Sequence, residues 1–85
     1  MNPVHRDSGV EANMLRLKRL REYRSRIFND MNSRVDKYIA AGMPPKQAPA
    51  VGEYVRKCQL RIRIMNDEID RVIESDPRVL RPATA

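Results

Sequence analysis

The side chains that most often perform chemistry in enzymes are scarce in this sequence. His5 is the only histidine and Cys58 the only cysteine among the 85 residues. His5 falls in a predicted N-terminal tail, where we expect a solvated side chain. Cys58 lacks a histidine that would activate it as a nucleophile, and its place on an apolar helical stripe favours a small buried side chain. The sequence therefore predicts no catalytic residue, and we interpret the chain as a non-enzymatic protein.

Motifs for metals and cofactors are also missing from the sequence. Four carboxylates crowd the end of the second apolar segment, namely Asp67, Glu68, Asp70 and Glu74. A hard cation needs oxygen ligands that converge from a loop or from several helices, whereas the residues expected to face this cluster are arginines. Neither the Cys/His spacing of a zinc site nor a phosphate-cradling glycine loop is present. We therefore expect ion-paired or solvated carboxylates, and no metal, cofactor or small-molecule substrate.

Positive charge is the strongest functional signal in the composition. The chain has 17 lysines and arginines against 11 aspartates and glutamates, a formal net charge of +6. This excess favours an acidic partner, which is a nucleic acid, an acidic protein surface or an anionic membrane. Aromatic residues on which bases would stack are sparse, so direct nucleic-acid binding is the alternative and not the leading hypothesis. The residues expected to contact phosphates are Arg16, Lys18, Arg19, Arg26, Arg56, Lys57, Arg61 and Arg63.

Apolar residues recur at helical spacing in two long segments, which predicts an all-α protein. In the first segment, no proline or glycine interrupts residues 10–41. Ser8 and Glu11 have the spacing of a capping box and are expected to mark the start of this helix. Gly42, with two prolines just beyond it, is well placed to end it. The expected apolar seam of this helix is Val10, Met14, Leu17, Leu20, Ile27, Phe28, Met31, Val35 and Tyr38.

In the second segment, the apolar positions alternate steps of four and three residues, which is the heptad pattern of a coiled-coil seam. These positions are Val51, Val55, Cys58, Ile62, Met65, Ile69 and Val72. Pro49 suits the first turn of this helix, and Pro77 ends it at about Ser75. We predict a single hairpin domain over residues 9–76, with helices over about 9–41 and 50–75, a proline-rich connector over 42–49, and tails over 1–8 and 77–85.

Two long amphipathic helices joined by a short connector are expected to fold back on each other in antiparallel orientation. The charge pattern supports this arrangement, because a basic run over residues 16–26 would meet an acidic run over residues 67–76. Folding about Lys46 lets Arg21 and Arg24 reach the carboxylates Asp67, Asp70 or Glu74. A parallel dimer of the second helix, favoured by its β-branched seam residues, is the alternative arrangement. The same antiparallel register sets Arg56, Arg61 and Arg63 beside Asp30 and Asp36.

A lone hairpin of two helices has a marginal core, so we expect it to self-associate into a bundle or to dock on a larger partner. Leu60 and Ile64 lie one turn apart on the face opposite the seam, and arginines surround them, as in many protein contact sites. Val79 and Leu80, in the proline-bounded tail, are expected to dock as a small anchor. The predicted interface residues are Leu60, Ile64, Arg56, Arg61, Arg63, Leu15, Tyr23, Val79 and Leu80.

These features together favour a small structural or adaptor subunit of a larger macromolecular assembly, and a viral particle would suit a chain of this size. A basic accessory protein that binds nucleic acid is the first alternative, and a small inhibitor of a host enzyme is the second. A single cysteine fits a reducing compartment, and the sequence has neither the pattern of a signal peptide nor an apolar run of about 18 residues. We therefore expect the chain in the cytoplasm or in a particle assembled there. The mixed charges and the lack of tryptophan do not favour a membrane surface.

Overall fold

The computed structural model describes the backbone of residues 4–80 and the side chains of residues 9–80. It contains a long helix α1 (Val4–Ala40), a second helix α2 (Ala48–Ser75) and a single 3₁₀ turn at Pro77–Leu80, called the C-terminal turn below. The two helices pack side by side in antiparallel orientation, and the C-terminal turn contacts both of them. The predicted all-α hairpin is confirmed. The heptad seam of α2 faces α1 of the same chain.

Helix α1 begins earlier than its capping-box spacing predicted. Ser8 and Glu11 indicated a start near residue 9, but the helix extends back to Val4. No proline lies between these positions, and Gly9 disfavours a helix by only about 1 kcal/mol relative to alanine, so nothing stops the helix at Ser8. The predicted tail over residues 1–8 is therefore helical from Val4 onward. Residues 1–3 and 81–85 lie outside the described part of the chain.

The connector reverses the chain through two residues with left-handed backbone. Gly42 has φ 82° and Met43 has φ 53°. The Gly42 amide donates to the Ile39 carbonyl at 2.9 Å and the Met43 amide to the Tyr38 carbonyl at 3.0 Å. These two bonds form a Schellman motif, which satisfies the last carbonyls of α1 and confirms Gly42 as its stop. Helix α2 begins two residues before the predicted position, and Pro49 occupies its first turn.

The core consists of two small clusters along the helix interface. The cluster near the chain ends contains Leu17, Ile69, Val72 and Val79, with Leu20 and Ile73 packed against it. The cluster near the connector contains Ile27, Met31 and Cys58, with Tyr54, Val55 and Ile62 packed against it. A single layer of two helices encloses little space, and no described side chain is completely buried.

The hairpin is thin and exposes more surface than a compact protein of its size. Its dimensions are 64 × 21 × 17 Å, and its solvent-accessible surface is 6912 Å². A compact monomer of this mass would expose about 5200 Å².

Two apolar residues assigned to the α1 seam lie outside it. Met14 and Phe28 are 39% and 49% exposed. A seam that faces only one helix is narrow, and the α1 positions that meet α2 include Asn13 and Arg24 in their place. The Asn13 amide donates to the Asp76 carboxylate at 3.1 Å, and Arg24 Nη1 donates to Asn66 Oδ1 at 2.7 Å. Each polar seam residue thus has a partner on the other side.

Candidate protein-interaction site

The predicted meeting of the basic run of α1 with the acidic run of α2 is represented by one salt bridge among the described residues. Arg16 Nη2 lies 3.6 Å from Glu68 Oε2, and Glu68 Oε1 lies 3.6 Å from Arg71 Nη1 on its own helix. Glu68 Oε2 is buried and has no hydrogen bond among the described residues, so the contact with Arg16 is its compensation. Arg16–Glu68 is the one salt bridge between α1 and α2 among the described residues, and a partly exposed pair contributes only about 0–1 kcal/mol.

The predicted pairing of individual residues is wrong in detail. Arg24 meets Asn66 and no carboxylate, and Arg21 forms no salt bridge within the described residues. The chain turns nearer Pro44 than Lys46, because the left-handed residues directly after α1 reverse it early. A shift of this size changes which side chains face one another along both helices.

Leu60 and Ile64 lie on the outward face of α2. The seam residues Cys58, Ile62 and Met65 face α1, and the helical repeat of 3.6 residues turns Leu60 and Ile64 away from it. Leu60 is 57% exposed and Ile64 is 50% exposed. No described residue of the hairpin covers this pair.

The surroundings of this apolar pair are basic. Arg56, Arg61 and Arg63 are all exposed, and none forms a salt bridge with a described carboxylate. Lys57 Nζ lies 3.5 Å from Glu53 Oε1 and is the one nearby cation with an acidic partner within residues 9–80. We call Leu60, Ile64 and the three arginines the α2 patch.

Charge is distributed unevenly along the hairpin. Residues 25–64, the connector half, contain eight lysines and arginines against three aspartates and glutamates. Residues 9–24 and 65–80, the open half, contain seven of each. The positive excess of the hairpin therefore belongs to the connector half, and the α2 patch lies within it.

The other predicted interface residues lie elsewhere. Leu15 and Tyr23 are each 46% exposed, on α1 in the open half. The tail does dock, but on the hairpin itself, because Val79 is only 7% exposed and packs with Leu17 in the core. Val79 therefore cannot offer a surface to a partner, whereas Leu80 is 53% exposed.

The predicted phosphate-contact residues divide into paired and unpaired side chains. Arg16 pairs with Glu68, Lys57 with Glu53, and Lys18 Nζ lies 4.0 Å from Glu22 Oε1. The other members have no salt bridge to a described carboxylate. They are Arg19, Arg26, Arg56, Arg61 and Arg63.

The sequence analysis missed a polar cluster around Asp76. Asp76 is 4% exposed. It accepts hydrogen bonds from Arg78 Nε at 2.6 Å, from Arg78 Nη2 at 3.1 Å and from Asn13 at 3.1 Å. The Arg78 guanidinium, followed by the Asn13 amide, lowers the pKa of the Asp76 carboxyl below its usual value. Because these donors occupy both carboxylate oxygens, the cluster is suited to holding the structure together. The signal available in the sequence was Asn13, a polar residue at a position of α1 that faces α2.

The residues that first suggested chemistry take structural positions. Cys58 is 4% exposed and belongs to the core cluster near the connector. Its interaction with the Tyr54 phenol raises the pKa of Tyr54, with partial burial as the next cause. The Arg34 guanidinium covers the ring of Tyr54, with Cζ 4.9 Å from the ring centroid. His5 lies outside the residues whose side chains are described.

Within the described residues, no group of three or more histidine, cysteine, aspartate or glutamate side chains is placed to hold a metal ion. Neither α1 nor α2, over the ranges given above, combines the length and the hydrophobicity that crossing a membrane requires.

Comparison with known proteins identifies no relative. The chain matches no protein-family model, no curated protein and no solved structure. Its function must therefore be inferred from the surface of the hairpin.

Proposed function

We propose that this protein is a non-enzymatic assembly or adaptor subunit that binds an acidic protein surface through the α2 patch. The observation that carries the proposal is the exposed Leu60–Ile64 pair among three arginines that form no salt bridge with a described carboxylate. A larger particle in the cytoplasm, for example a viral one, would supply such a surface.

The patch combines an exposed apolar centre with a rim of arginines, and arginine is enriched at binding hot spots. Complete burial of an exposed leucine or isoleucine side chain contributes about 1.5–3 kcal/mol. Leu60 and Ile64 would each add a contribution of this size to the free energy of binding if a partner covered them. Arginines around such a centre form charge-assisted hydrogen bonds with carboxylates and speed the encounter with an acidic partner.

The test is affinity capture with the tagged protein, followed by rebinding of each captured protein in purified form. We expect Leu60→Asp combined with Ile64→Asp to abolish binding of the partner, because the new carboxylates would face an acidic surface. Ile39→Asp is the matched control, since Ile39 is 53% exposed but lies on α1. Unchanged binding of the partner by the double variant would refute the proposal. Circular dichroism establishes that every variant keeps its helices.

Nucleic-acid binding is the second candidate, and the uneven charge of the connector half favours it. In this case the protein would purify with nucleic acid, which absorbance at 260 and 280 nm detects, and would release it at high salt. Changing Arg56, Arg61 and Arg63 to glutamine would lower the affinity and reduce the salt dependence by roughly one unit of slope per lost phosphate contact. Changing Leu60 and Ile64 to alanine keeps every charge, so that variant would still carry nucleic acid at low salt but would bind an acidic protein partner more weakly, which separates the two candidates.

A further inference from the structure

We infer that the groove between α1 and α2 in the open half binds an acidic amphipathic helix of a partner protein. The apolar side of that helix would lie on Leu15 and Tyr23, and a carboxylate at its flank would meet Arg19. This surface is distinct from the α2 patch, and the inference does not depend on the proposed function.

The groove has the length and the lining of a surface that binds a helix. Its volume is about 600 Å³. Its lining residues are Ala12, Leu15, Arg16, Arg19, Leu20, Tyr23 and Met65. The members from α1 recur every three or four positions, so they form one stripe that spans three turns of the helix, or roughly 16 Å. A third helix can pack lengthwise against such a stripe, in the groove between two neighbouring helices.

The groove is continuous with the core of the open half. Leu20 packs against the core cluster near the chain ends and also lines the groove. Leu20 and Met65 are only partly buried, and Leu15 and Tyr23 are each 46% exposed. An apolar side chain laid in the groove would therefore extend this core cluster and bury more of all four residues.

The charges of α1 around the groove favour an acidic occupant. Residues 9–24 contain five lysines and arginines against two glutamates. At the rim, Arg16 keeps its contact with Glu68 at 3.6 Å. Arg19, also at the rim, is exposed and forms no salt bridge with a described carboxylate. A carboxylate of a partner can therefore pair with Arg19 without breaking a contact within the hairpin.

The other carboxylates of α2 near this level leave the rim basic. Three of them are Asp67, Asp70 and Glu74. Since a helix turns by about 100° per residue, all three project from α2 at about 140–200° from Met65 of the groove. Arg19 thus offers a guanidinium that suits a carboxylate. The lining is mainly aliphatic, with Tyr23 as its single aromatic ring, which favours a protein helix over stacked bases.

The experiment measures peptide binding to the intact chain by fluorescence anisotropy. The probe is a labelled helical peptide of about 18 residues, with leucines on one side and glutamates on both flanks of that side. The matched probe has lysine at every glutamate position. We expect the wild type to bind the glutamate peptide about tenfold or more tightly than the lysine peptide, because the rim is basic. Arg19→Glu should lower the affinity for the glutamate peptide about tenfold and raise the affinity for the lysine peptide.

A second pair of variants tests the apolar lining. Leu15→Ala combined with Tyr23→Ala should lower the affinity for the glutamate peptide about tenfold or more. Phe28→Ala is the matched control and should leave the affinity unchanged. Phe28 is 49% exposed on the same helix, but it lies about 140° around α1 from Tyr23. Circular dichroism establishes that every variant keeps its helices.

Three results would overturn the inference. The first is a glutamate peptide that does not bind at any soluble concentration, or that binds no better than the lysine peptide. The second is loss of peptide binding in Leu60→Ala combined with Ile64→Ala but not in Arg19→Glu, which would place the peptide on the α2 patch. The third is a nucleic-acid duplex that the wild type binds and Arg19→Glu releases, with the affinity for the glutamate peptide unchanged, which would make this face a phosphate-binding surface.

Discussion

Asn13 and Asp76 are 63 positions apart in the sequence, yet the Asn13 amide donates a hydrogen bond of 3.1 Å to the Asp76 carboxylate. The same carboxylate accepts two hydrogen bonds from Arg78. The Asp76 amide donates to the Val72 carbonyl at 3.0 Å, and the Asp76 carbonyl accepts from the Val79 amide at 3.1 Å. One residue therefore joins α1, the end of α2 and the C-terminal turn, and it fixes the open half of the hairpin where no covalent connection exists.

The Asp76 cluster predicts a specific acid sensitivity. Arg78 and Asn13 lower the pKa of Asp76 below 3.8, so the unfolded state binds this proton more tightly than the folded state. The stability that the carboxylate contributes is therefore complete above about pH 4 and is lost as the pH falls through the folded pKa. Asp76→Asn should lower Tm at pH 7, and the difference from wild type should narrow at the lowest pH at which both remain folded. Thermal melts followed by circular dichroism measure this, and a constant difference in Tm would contradict it.

The two apolar residues of the C-terminal turn should respond very differently to substitution. Val79→Asp places an unpaired charge beside Leu17 and Ile69, which should destabilise the hairpin by on the order of 3 kcal/mol. Leu80→Asp is the matched control, because Leu80 is 53% exposed and its neighbour only 7%. We expect the control to change the free energy of unfolding by less than about 0.5 kcal/mol. Urea titration measures both, and equal effects would show that the turn does not pack on the core.

The backbone conformation of the connector can be tested by replacing a glycine there and comparing the effect with that of a glycine inside α2. Gly42 has φ 82°, and a β-carbon there would meet no atom within 4 Å. Gly42→Ala should therefore destabilise the hairpin by about 1–2 kcal/mol through backbone strain alone. Gly52 also has open space around it but lies within α2, so Gly52→Ala should stabilise by about 0.5–1 kcal/mol. Denaturation midpoints show whether each substitution stabilises or destabilises the hairpin. A loss of stability at both positions would contradict the prediction.

Substitutions at two isoleucines of α2 should distinguish an effect on folding from an effect on the proposed binding of a partner. Ile69 is 4% exposed and Ile64 is 50% exposed. Ile69→Ala should reduce the free energy of unfolding by about 2–4 kcal/mol, because it leaves a cavity between the helices. Ile64→Ala should change it by less than about 0.5 kcal/mol while weakening partner binding. A comparable loss of stability in both variants, measured by urea titration, would mean that Ile64 supports the fold.

Local features of the chain determined the two helices, the end of α1 and the proline in the first turn of α2, although not the residue at which each helix begins. The alternating steps of four and three residues along α2 place its apolar side chains on one stripe wherever a helix forms. Glycine at position 42 adopts the left-handed backbone that ends α1, and Pro49 fits a first helical turn. These properties depend on residues within one or two turns of each other. For the same reason, the outward position of Leu60 and Ile64 followed from the position of the seam.

Relations between distant residues were decided by packing of the complete chain. The register of the two helices, the bond from Asn13 to Asp76 and the burial of Val79 each depend on where the connector turns and on which side chains then compete for the same narrow seam. The apolar pattern placed Phe28 in that seam and left Asn13 out, yet Asn13 faces α2 and Phe28 is exposed. A periodic pattern defines which residues share a face of one helix. It does not define which residue of the other helix they meet, because that choice requires the three-dimensional fit of both surfaces at once.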